Sequence, residues 1–426
     1  MMEGLDAIVV GGGLAGLAAA YTLAREGLGV ILFERGDHPG SKNVTGGRLY
    51  LDPVKPLLDG LWKEAPLERQ VTKERITAMT EDSSVTFEFS SERLKGHSYT
   101  ILRSPFDRWL AEKVTQAGAF IVPQRKVTDL LMEDGRVVGV KADEEEIPAS
   151  VVIIADGVLS PLGEKAGLRR PLEAGRAAVG FKEVIKLGEE EVSRRFGLRK
   201  GEGLAHLFFG AITKGIFGGG FLYTNRESIS LGMVVGIGDF REEMPFEMPQ
   251  VLEDFKARAE IAPLIEEGEL LEYSAHIIPE GAYRLVKRLY GDGVLLVGDA
   301  AGFALNHGIT VRGMDFALAS GVLAARAVRE AKKRGDFSAN ALSHYEALLR
   351  ESFVLKDMET FASTSEVLAL RRLHDHYPRL LCSMAEDLFR VGEGPKERIS
   401  RTFWRYAKGA LLDPKVWKDL WRMREL

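Results

Sequence analysis

Residues 5–34 constrain the fold of this chain more than any other stretch. LDAIVV (5–10) predicts a short buried strand, and GGGLAG (11–16) predicts a tight turn that opens an Ala- and Leu-rich helix. GVILFE (29–34) predicts a second apolar strand. Continuous apolar strands joined by a helix are typical of a parallel, doubly wound sheet, so we expect an α/β fold.

The turn carries glycines in the spacing G-x-G-x-x-G, at Gly11, Gly13 and Gly16. In dinucleotide-binding folds the first glycine permits the turn, the second lets the backbone approach a pyrophosphate, and the third allows close helix–strand packing. The helix N-terminus adds free N–H groups and a positive dipole end. Glu34, at the end of the second strand, can accept hydrogen bonds from an adenosine ribose. The pattern therefore predicts FAD or NAD rather than NADP, whose 2′-phosphate would meet that carboxylate.

A second glycine motif lies far downstream, in GDGVLLVGDAAGFALNHGITVRG (291–313). Its apolar run ends at Gly298-Asp299, where a carboxylate can accept from the ribityl hydroxyls of FAD. Gly308 and the start of the next helix can bring backbone N–H groups to a flavin carbonyl. A nicotinamide cofactor needs no such second site, so the two motifs together favour FAD over NAD. The alternative for Asp299 is a simple helix N-cap.

The two glycine motifs resemble the large FAD family with the glutathione-reductase-like fold, which includes hydroxylases and dehydrogenases. Segments 102–107, with Leu-Arg and a later Asp, and 155–160, with Ala-Asp-Gly and a later Ser, share the resemblance. It implies that Arg103 lies by the flavin or its pyrophosphate, and that the Asp156 turn packs near both phosphates. A surface charge and a simple turn are the alternatives for these two residues.

Four further segments resemble the electron-transfer flavoprotein–quinone oxidoreductase family, most closely its FixC branch. The resemblance implies an FAD-dependent oxidoreductase that passes electrons from an electron-transfer flavoprotein, with its alpha and beta subunits, to a quinone. Its clear part covers about residues 5–330. The segments are SKNVTGGRLY (41–50), GGGFLYTNRESISLGMVVGI (218–237), YSAHIIPEGAYR (273–284) and TVRGMDFALASG (310–321).

The resemblance also implies the residues that contact the cofactor. Lys42, Asn43, Thr45, Gly46 and Gly47 would line the flavin, and Asn306, His307 and Gly308 would lie beside its ring. We take His307 and Asn306 as catalytic candidates, since the imidazole can donate a proton during quinone reduction; a structural hydrogen-bonding histidine is the alternative. The predicted cofactor-binding set is completed by Leu14, Ala15, Arg35, Val127, Ala155, Gly157, Gly298 and Thr310, and no metal ligand is predicted.

Two departures from related patterns narrow the function. Hydroxylases of this fold usually have Pro before the Thr-Gly that precedes the flavin helix, whereas Asn306 stands there, so oxygen activation is disfavoured. Cys382 is the only cysteine, which excludes a Cys-ligated iron–sulfur cluster within the chain. The FixC branch likewise lacks the cluster segment and pairs with a small ferredoxin-like subunit, which implies a multisubunit and electron-bifurcating complex.

Charge and hydropathy limit the remaining partners. The net charge of −5 argues against a nucleic-acid binder. No apolar run of about 18 residues predicts a membrane span. Trp417 and Trp421 lie four apart in a basic C-terminal segment, which suits either an interfacial helix or a helix packed on a partner. We expect a cytoplasmic protein, with peripheral contact at the inner face of the membrane as an open alternative.

The chain is expected to combine a glutathione-reductase-like FAD-binding domain with an inserted antiparallel-sheet domain and a helical tail. A geranylgeranyl-reductase-like flavoprotein that reduces prenyl chains, and a flavin-binding scaffold, are the alternative functions. The expected boundaries are 1–80, 103–170 and 286–335 for the FAD-binding domain, 81–102 and 171–285 for the substrate or quinone domain, and 336–426 for the helical region.

Overall fold

The computed structural model describes residues 5–42, 46–58, 60–239 and 247–424. Its strands are β1 (Leu5–Val10), β2 (Val30–Phe33), β3 (Gly47–Tyr50), β4 (Leu67–Met79), β5 (Ser84–Ser90), β6 (Ser98–Ile101), β7 (Phe120–Val122), β8 (Val127–Glu133), β9 (Arg136–Ala142), β10 (Glu145–Ile154), β11 (Ala177–Lys186), β12 (Glu202–Gly210), β13 (Gly218–Thr224), β14 (Ser228–Gly236), β15 (Glu269–Pro279), β16 (Tyr290–Gly291), β17 (Val294–Leu296), β18 (Leu305–Asn306) and β19 (Val311–Arg312). Its helices are α1 (Leu14–Arg25), α2 (Arg103–Gln116), α3 (Pro161–Lys165), α4 (Glu189–Phe196), α5 (Met248–Lys256), α6 (Ala262–Ile265), α7 (Met314–Arg334), α8 (Ala339–Leu342), α9 (His344–Glu351), α10 (Phe353–Thr360), α11 (Thr364–Leu368), α12 (Arg371–His374), α13 (His376–Phe389), α14 (Ile399–Leu412) and α15 (Pro414–Met423).

The first sheet has the order β16-β17-β10-β1-β2-β7, with the β8–β9 hairpin attached to β10. Its central strands β17, β10, β1, β2 and β7 are parallel, and the predicted β1–α1–β2 unit is confirmed. Helix α1 packs on α7 at very short range, since a Cβ on Gly321 would lie 2.1 Å from the Ala15 carbonyl oxygen. Small residues on both helices therefore allow them to cover the same face of the sheet.

The second sheet has the order β15-β11-β14-β13-β12-β4-β6-β3, with β5 attached to β4. Its strands pair antiparallel except β4 and β12, which run parallel. Helices α4 and α5 cover one face of this sheet with Phe196 and Phe255, which are almost fully buried. Most of its strands lie within residues 81–102 and 171–285, where a second domain is expected, and the mixed α/β architecture is confirmed.

The structure differs from the expected boundary at residue 80. Strands β3 and β4, within residues 47–79, hydrogen-bond in the second sheet rather than the first. The sequence of β4, LERQVTKERITAM, mixes charged and apolar residues, which suits a sheet with one solvated face better than a fully buried parallel sheet. The second sheet is thus assembled from segments on both sides of α2.

The chain ends in a series of short helices, α8 to α15. Helix α8 packs on β16 and β17 of the first sheet. Helix α13 packs on β4 and β5 of the second sheet, where the Cys382 thiol lies buried near the Ala78 carbonyl, and α14 and α15 follow, α14 on α13 and α15 on α14. In the parts of the chain that the structure describes, no helix is both long and apolar enough to cross a membrane. In the same ranges, acidic, His and Cys side chains form no group suited to a metal ion.

Candidate functional site

In the glycine turn after β1, two of the three motif glycines pack against backbone and the third faces open space. A Cβ on Gly11, whose φ is +109°, would lie 2.2 Å from the Ala155 carbonyl oxygen, and a Cβ on Gly16 would lie 2.0 Å from the Gly11 carbonyl oxygen. Around Gly13, in contrast, nothing lies within 4 Å. Gly13 is the N-cap residue of α1, a helix that has neither a side-chain cap nor an acidic residue in its first turn. Its free N–H groups can therefore donate hydrogen bonds to an anionic group.

Glu34 connects this turn to the end of β2. Its carboxylate accepts the N–H groups of Gly12 and Gly36, at 2.8 and 2.5 Å. Since a carboxylate has about four acceptor positions, Glu34 keeps capacity for ribose hydroxyls. The amide of Arg125 donates to the Glu34 carbonyl at 2.9 Å, which brings the start of β8, including the predicted Val127, to the same edge of the sheet.

The predicted residues after β2 lie beside this edge. Arg35 and Lys42 are exposed, and the Lys42 Cε lies 3.4 Å from the position of a Cβ on Gly36. Leu14 and Ala15 are buried in the first turn of α1. The predictions for Asn43 and Thr45 lie outside the described residues.

Two charged groups, Arg103 at the start of α2 and Asp299 after β17, lie close enough to interact. Arg103 makes a paired contact with the fully buried Asp107, with N–O distances of 2.9 and 2.8 Å. Burial opposes the charge on Arg103, but the interaction with Asp107 outweighs it and raises the pKa of Arg103. Asp299 lies close enough to Arg103 to interact with it electrostatically, and none of the described residues donates a hydrogen bond to the Asp299 carboxylate. That carboxylate is a free acceptor in the cleft.

His276 was not predicted, although it comes from the second sheet to face Asp299. Burial raises the pKa of Asp299 against the attraction of His276 and Arg103. Burial also lowers the pKa of His276, with Arg103 and Arg35 acting in the same direction and Asp299 opposing them. Charged groups carried by both sheets thus meet around Asp299.

The Asp-Gly turn after β10 lies against the glycine turn. The Ala155 amide donates to the Val10 carbonyl at 2.9 Å, and Asp156 Oδ2 accepts the Leu162 amide at 3.1 Å. Burial raises the pKa of Asp156. Gly157 follows with a φ of +86°, which glycine adopts readily. The structure thus brings the first glycine motif and the Asp156 turn together.

The loop before β3 is held by a second residue that the sequence did not reveal. Lys182, in β11, is almost fully buried, and its Nζ donates to the Gly46 carbonyl. Burial lowers the pKa of Lys182 to about 7. A Cβ on Gly46 would lie 2.0 Å from Ser230 Oγ, and one on Gly47 would lie 3.2 Å from Met314 Cε. A charged Lys-Glu pair in the middle of the otherwise largely apolar strand AAVGFKEVIK was the available signal.

The β18–β19 hairpin holds the predicted catalytic pair. The Gly308 amide donates to Asn306 Oδ1 at 3.0 Å, and the His307 ring bonds the Thr310 hydroxyl and stacks on Phe361 with centroids 5.0 Å apart. Burial lowers the pKa of His307. These contacts give the imidazole a structural role, so its part in proton transfer stays a prediction.

Glu280 is a buried carboxyl behind Asn306. Burial raises the pKa of Glu280 to about 7, although a hydrogen bond with the Asn306 side chain opposes the shift. The carboxyl, Asn306 and the Gly308 amide form a continuous path from the interior to the hairpin. Glu280 lies in the segment YSAHIIPEGAYR, and the family resemblance implies no role for this residue.

Glu280 makes the stability of the protein depend on pH. Because its pKa is about 7 in the folded chain and 4.5 as the reference value, the folded state holds a proton that the unfolded state releases between these pH values. The contribution of this proton to the free energy of unfolding is therefore fully present below pH 4.5, and it is lost as the pH rises through about 7. Between pH 4.5 and 8, this group should lower the free energy of unfolding of the wild-type protein by roughly 3 kcal/mol. We expect Glu280→Gln, measured by urea unfolding, to lack this decrease. Equal pH profiles for the two proteins would contradict this.

The residues of the cleft fit a bound FAD. The open, uncapped start of α1 suits a pyrophosphate, the free Asp299 carboxylate suits ribityl hydroxyls, and Glu34 lies at the ribose end.

Fold and site together define an FAD-dependent oxidoreductase. Residues 6–180 match the family described as FAD dependent oxidoreductase. Among solved structures, a geranylgeranyl bacteriochlorophyll reductase-like protein from Thermoplasma acidophilum aligns over 99% of both chains, with a TM-score of 0.73 and 23% identity. At that identity the likeness is one of fold.

Curated relatives define the family more closely. The chain is 46% identical over 406 residues to the probable electron transfer flavoprotein-quinone oxidoreductase YdiS of Escherichia coli (strain K12), covering 95% of this chain and 94% of the relative. It is 40% identical to protein FixC of Bradyrhizobium diazoefficiens, covering 92% of each. The chain belongs to the FixC and electron transfer flavoprotein-quinone oxidoreductase family, which confirms the resemblance.

Proposed function

We propose that this chain passes electrons from an electron-transfer flavoprotein to a quinone, either menaquinone or ubiquinone. The observation that carries the proposal is the similarity to YdiS over 95% of the chain, since that relative is named for this activity. The cleft agrees with it, because its charged groups suit the holding and tuning of a redox cofactor.

FAD supplies one- and two-electron redox chemistry when it is bound. In the proposed site the first turn of α1 binds the pyrophosphate, Glu34 binds the adenosine ribose, and Asp299 accepts from the ribityl hydroxyls. Arg103 balances negative charge near the flavin. Lys182 donates a hydrogen bond to the Gly46 carbonyl. This contact would hold in place the loop that is expected to line the flavin.

Reduction of a quinone to a quinol also consumes protons. Glu280 can hold one near neutral pH, because burial raises its pKa to about 7. Its path through Asn306 leads to the hairpin that carries His307. We propose that the Glu280 carboxyl stores this proton and that the hairpin positions the acceptor.

The proposed assembly includes partner chains. Electrons enter from the alpha and beta subunits of an electron-transfer flavoprotein, and a small ferredoxin-like subunit supplies an iron–sulfur cluster. The single cysteine of this chain supports a separate cluster subunit, since such clusters need several thiolates. Electron bifurcation and a cytoplasmic position at the inner face of the membrane belong to the same proposal.

Reconstitution tests the function. The chain with bound FAD is mixed anaerobically with reduced electron-transfer flavoprotein and a water-soluble quinone analogue. We expect quinone reduction that needs both proteins. If this chain accepted electrons but left the quinone unchanged, a scaffold or another acceptor would replace the proposal. The prenyl-reductase alternative has only the fold likeness in its favour, and hydrogenation of a prenyl substrate by the reduced protein would revive it.

A further inference from the structure

Lys182 is a buried amine that no acidic side chain neutralises. It lies on β11, between β14 and β15 of the second sheet, and its Nζ donates to the Gly46 carbonyl. In the part of the chain that the structure describes, no carboxylate forms an ion pair with it. The adjacent Glu183, in contrast, pairs with Lys256 at 3.0 Å. A buried ammonium without an anionic partner is costly, so this site favours the neutral amine.

The groups that face Lys182 do not supply the missing charge. Lys182 lies opposite Gly232 of β14 and Ser274 of β15, and the Ser274 hydroxyl is buried with no hydrogen-bond partner among the described residues. Glu272 of β15 attracts the ammonium without forming an ion pair, and Arg103 at the start of α2 repels it. Burial outweighs the attraction of Glu272 and lowers the pKa of Lys182 to about 7.

Two groups that are expected to touch the cofactor lie near this amine. Gly46, whose carbonyl accepts from Lys182, belongs to the loop that is expected to line the flavin. Arg103, which repels Lys182, also interacts with Asp299, the expected acceptor for the ribityl hydroxyls, and with His276. The inference that follows rests on this proposed position of FAD.

Reduction of FAD would supply the anion that Lys182 lacks. A flavin that gains two electrons and one proton carries one more negative charge than the oxidised flavin. An opposite charge nearby favours the charged form of a lysine and raises its pKa. The oxidised site therefore favours the neutral amine, and the reduced site favours the ammonium.

We propose that Lys182 is the charge-balancing residue of the flavin site, and that its amine takes up a proton from solvent when bound FAD is reduced. The cofactor gains two electrons and one proton, Lys182 Nζ gains a second proton, and both protons are released on reoxidation. The electrons come from reduced electron-transfer flavoprotein in the proposed function and from an electrode in the test. The ammonium stabilises the reduced, anionic cofactor and so raises its midpoint potential.

The pH dependence of the midpoint potential tests the proposal. It is measured by spectroelectrochemical titration of the FAD-loaded protein on both sides of pH 7. Each proton taken up with two electrons changes the equilibrium constant tenfold per pH unit, which is about 30 mV. Below pH 7, Lys182 is protonated in both redox states, so the wild type and Lys182→Met should run parallel. Above it, the wild type should fall by about 60 mV per pH unit and Lys182→Met by about 30 mV.

Two further variants separate charge from structure. Lys186→Met removes an exposed lysine from the end of the same strand and should leave the potential and its slope unchanged. Lys182→Arg keeps a cation at every pH, so it should have a higher potential than Lys182→Met and the same slope above pH 7.

Proton counting needs no substitution at the buried position. The FAD-loaded wild-type protein is reduced electrochemically above pH 7 in weakly buffered solution that contains a pH indicator. We expect uptake of about two protons per FAD, one by the cofactor and one by Lys182. Uptake of about one proton would overturn the proposal, as would equal slopes for the wild type and Lys182→Met.

The apoprotein gives a measurement that does not depend on FAD. The pKa of Lys182 is about 7 in the folded chain and 10.5 as the reference value, so the unfolded chain holds a proton that the folded chain releases between these values. The urea midpoint of the wild type should therefore rise relative to that of Lys182→Met as the pH increases from 7 to 10.5. A constant difference would show that Lys182 stays charged in the folded protein and would contradict the proposal.

The outcomes for Lys182 and for the proposed function are distinguishable. Extra proton uptake by a protein that leaves the quinone analogue unchanged in the reconstitution would end the function and leave the role of Lys182 standing. Quinone reduction by a wild-type protein whose slope equals that of Lys182→Met would end the role of Lys182 and leave the function.

Discussion

Replacing Gly16 with alanine is expected to prevent stable folding. The new Cβ would lie 2.0 Å from the Gly11 carbonyl oxygen, and the backbone cannot give way easily because the Gly11 amide is bonded to the Phe33 carbonyl at 2.8 Å. Overpacking against backbone costs about 3 kcal/mol or more. We expect a large loss of soluble protein and, for what is recovered, a lower urea midpoint at unchanged slope.

Gly13→Ala is the matched control in the same turn. A Cβ there meets nothing within 4 Å, and the φ of −81° suits alanine. Its stability without FAD should therefore stay within about 0.5 kcal/mol of the wild type, whereas FAD binding should weaken because the Cβ occupies the approach to the N–H groups. Wild-type stability of Gly16→Ala, or wild-type FAD affinity of Gly13→Ala, would contradict the assignment of this turn.

Replacing Asp299 with alanine is expected to cause the largest loss of FAD. The ribityl hydroxyls would lose a charged acceptor, which contributes about 1.5–3 kcal/mol, or a tenfold to roughly 150-fold rise in Kd. The measurement is FAD retention during purification, followed by titration of the apoprotein with FAD.

Two comparisons distinguish a loss of FAD binding from unfolding of the variant. Burial raises the pKa of Asp299, which means that its charged form destabilises the folded apoprotein. Without FAD, Asp299→Ala should therefore be at least as stable as the wild type at neutral pH. Asp299→Asn keeps an acceptor without the charge and should bind FAD with intermediate affinity. Full, tightly held FAD in Asp299→Ala would show that the ribityl group is bound elsewhere.

The sequence predicted the parts of the site whose signal is local. The β1–α1–β2 unit follows from apolar runs and glycine spacing, and both are confined to residues 5–34. Asp299 could be found in the same way, because an acidic residue directly after a buried strand stands out. The contact between the Ala155 turn and Gly11 could be predicted only from the family resemblance, because the two segments are far apart in the sequence.

The residues that were missed reach the cleft through non-local pairing. Lys182 and His276 lie on neighbouring strands, and the register of β11 with β15 places both on the side that faces the first domain. Glu280 follows the same strand, and its buried carboxyl bonds the Asn306 side chain of the hairpin, a contact between segments far apart in the sequence. The placement of β3 and β4 in the second sheet was missed for the same reason, since pairing partners are not local in the sequence.

Reoxidation of the reduced protein tests the central claim most directly. The FAD-loaded chain is reduced anaerobically with dithionite, freed of excess reductant and mixed rapidly with a menaquinone analogue or with oxygenated buffer. We predict that the quinone reoxidises the flavin faster than oxygen does, with stoichiometric formation of quinol. Rapid reoxidation by oxygen with release of hydrogen peroxide, together with no reaction with the quinone, would contradict the account.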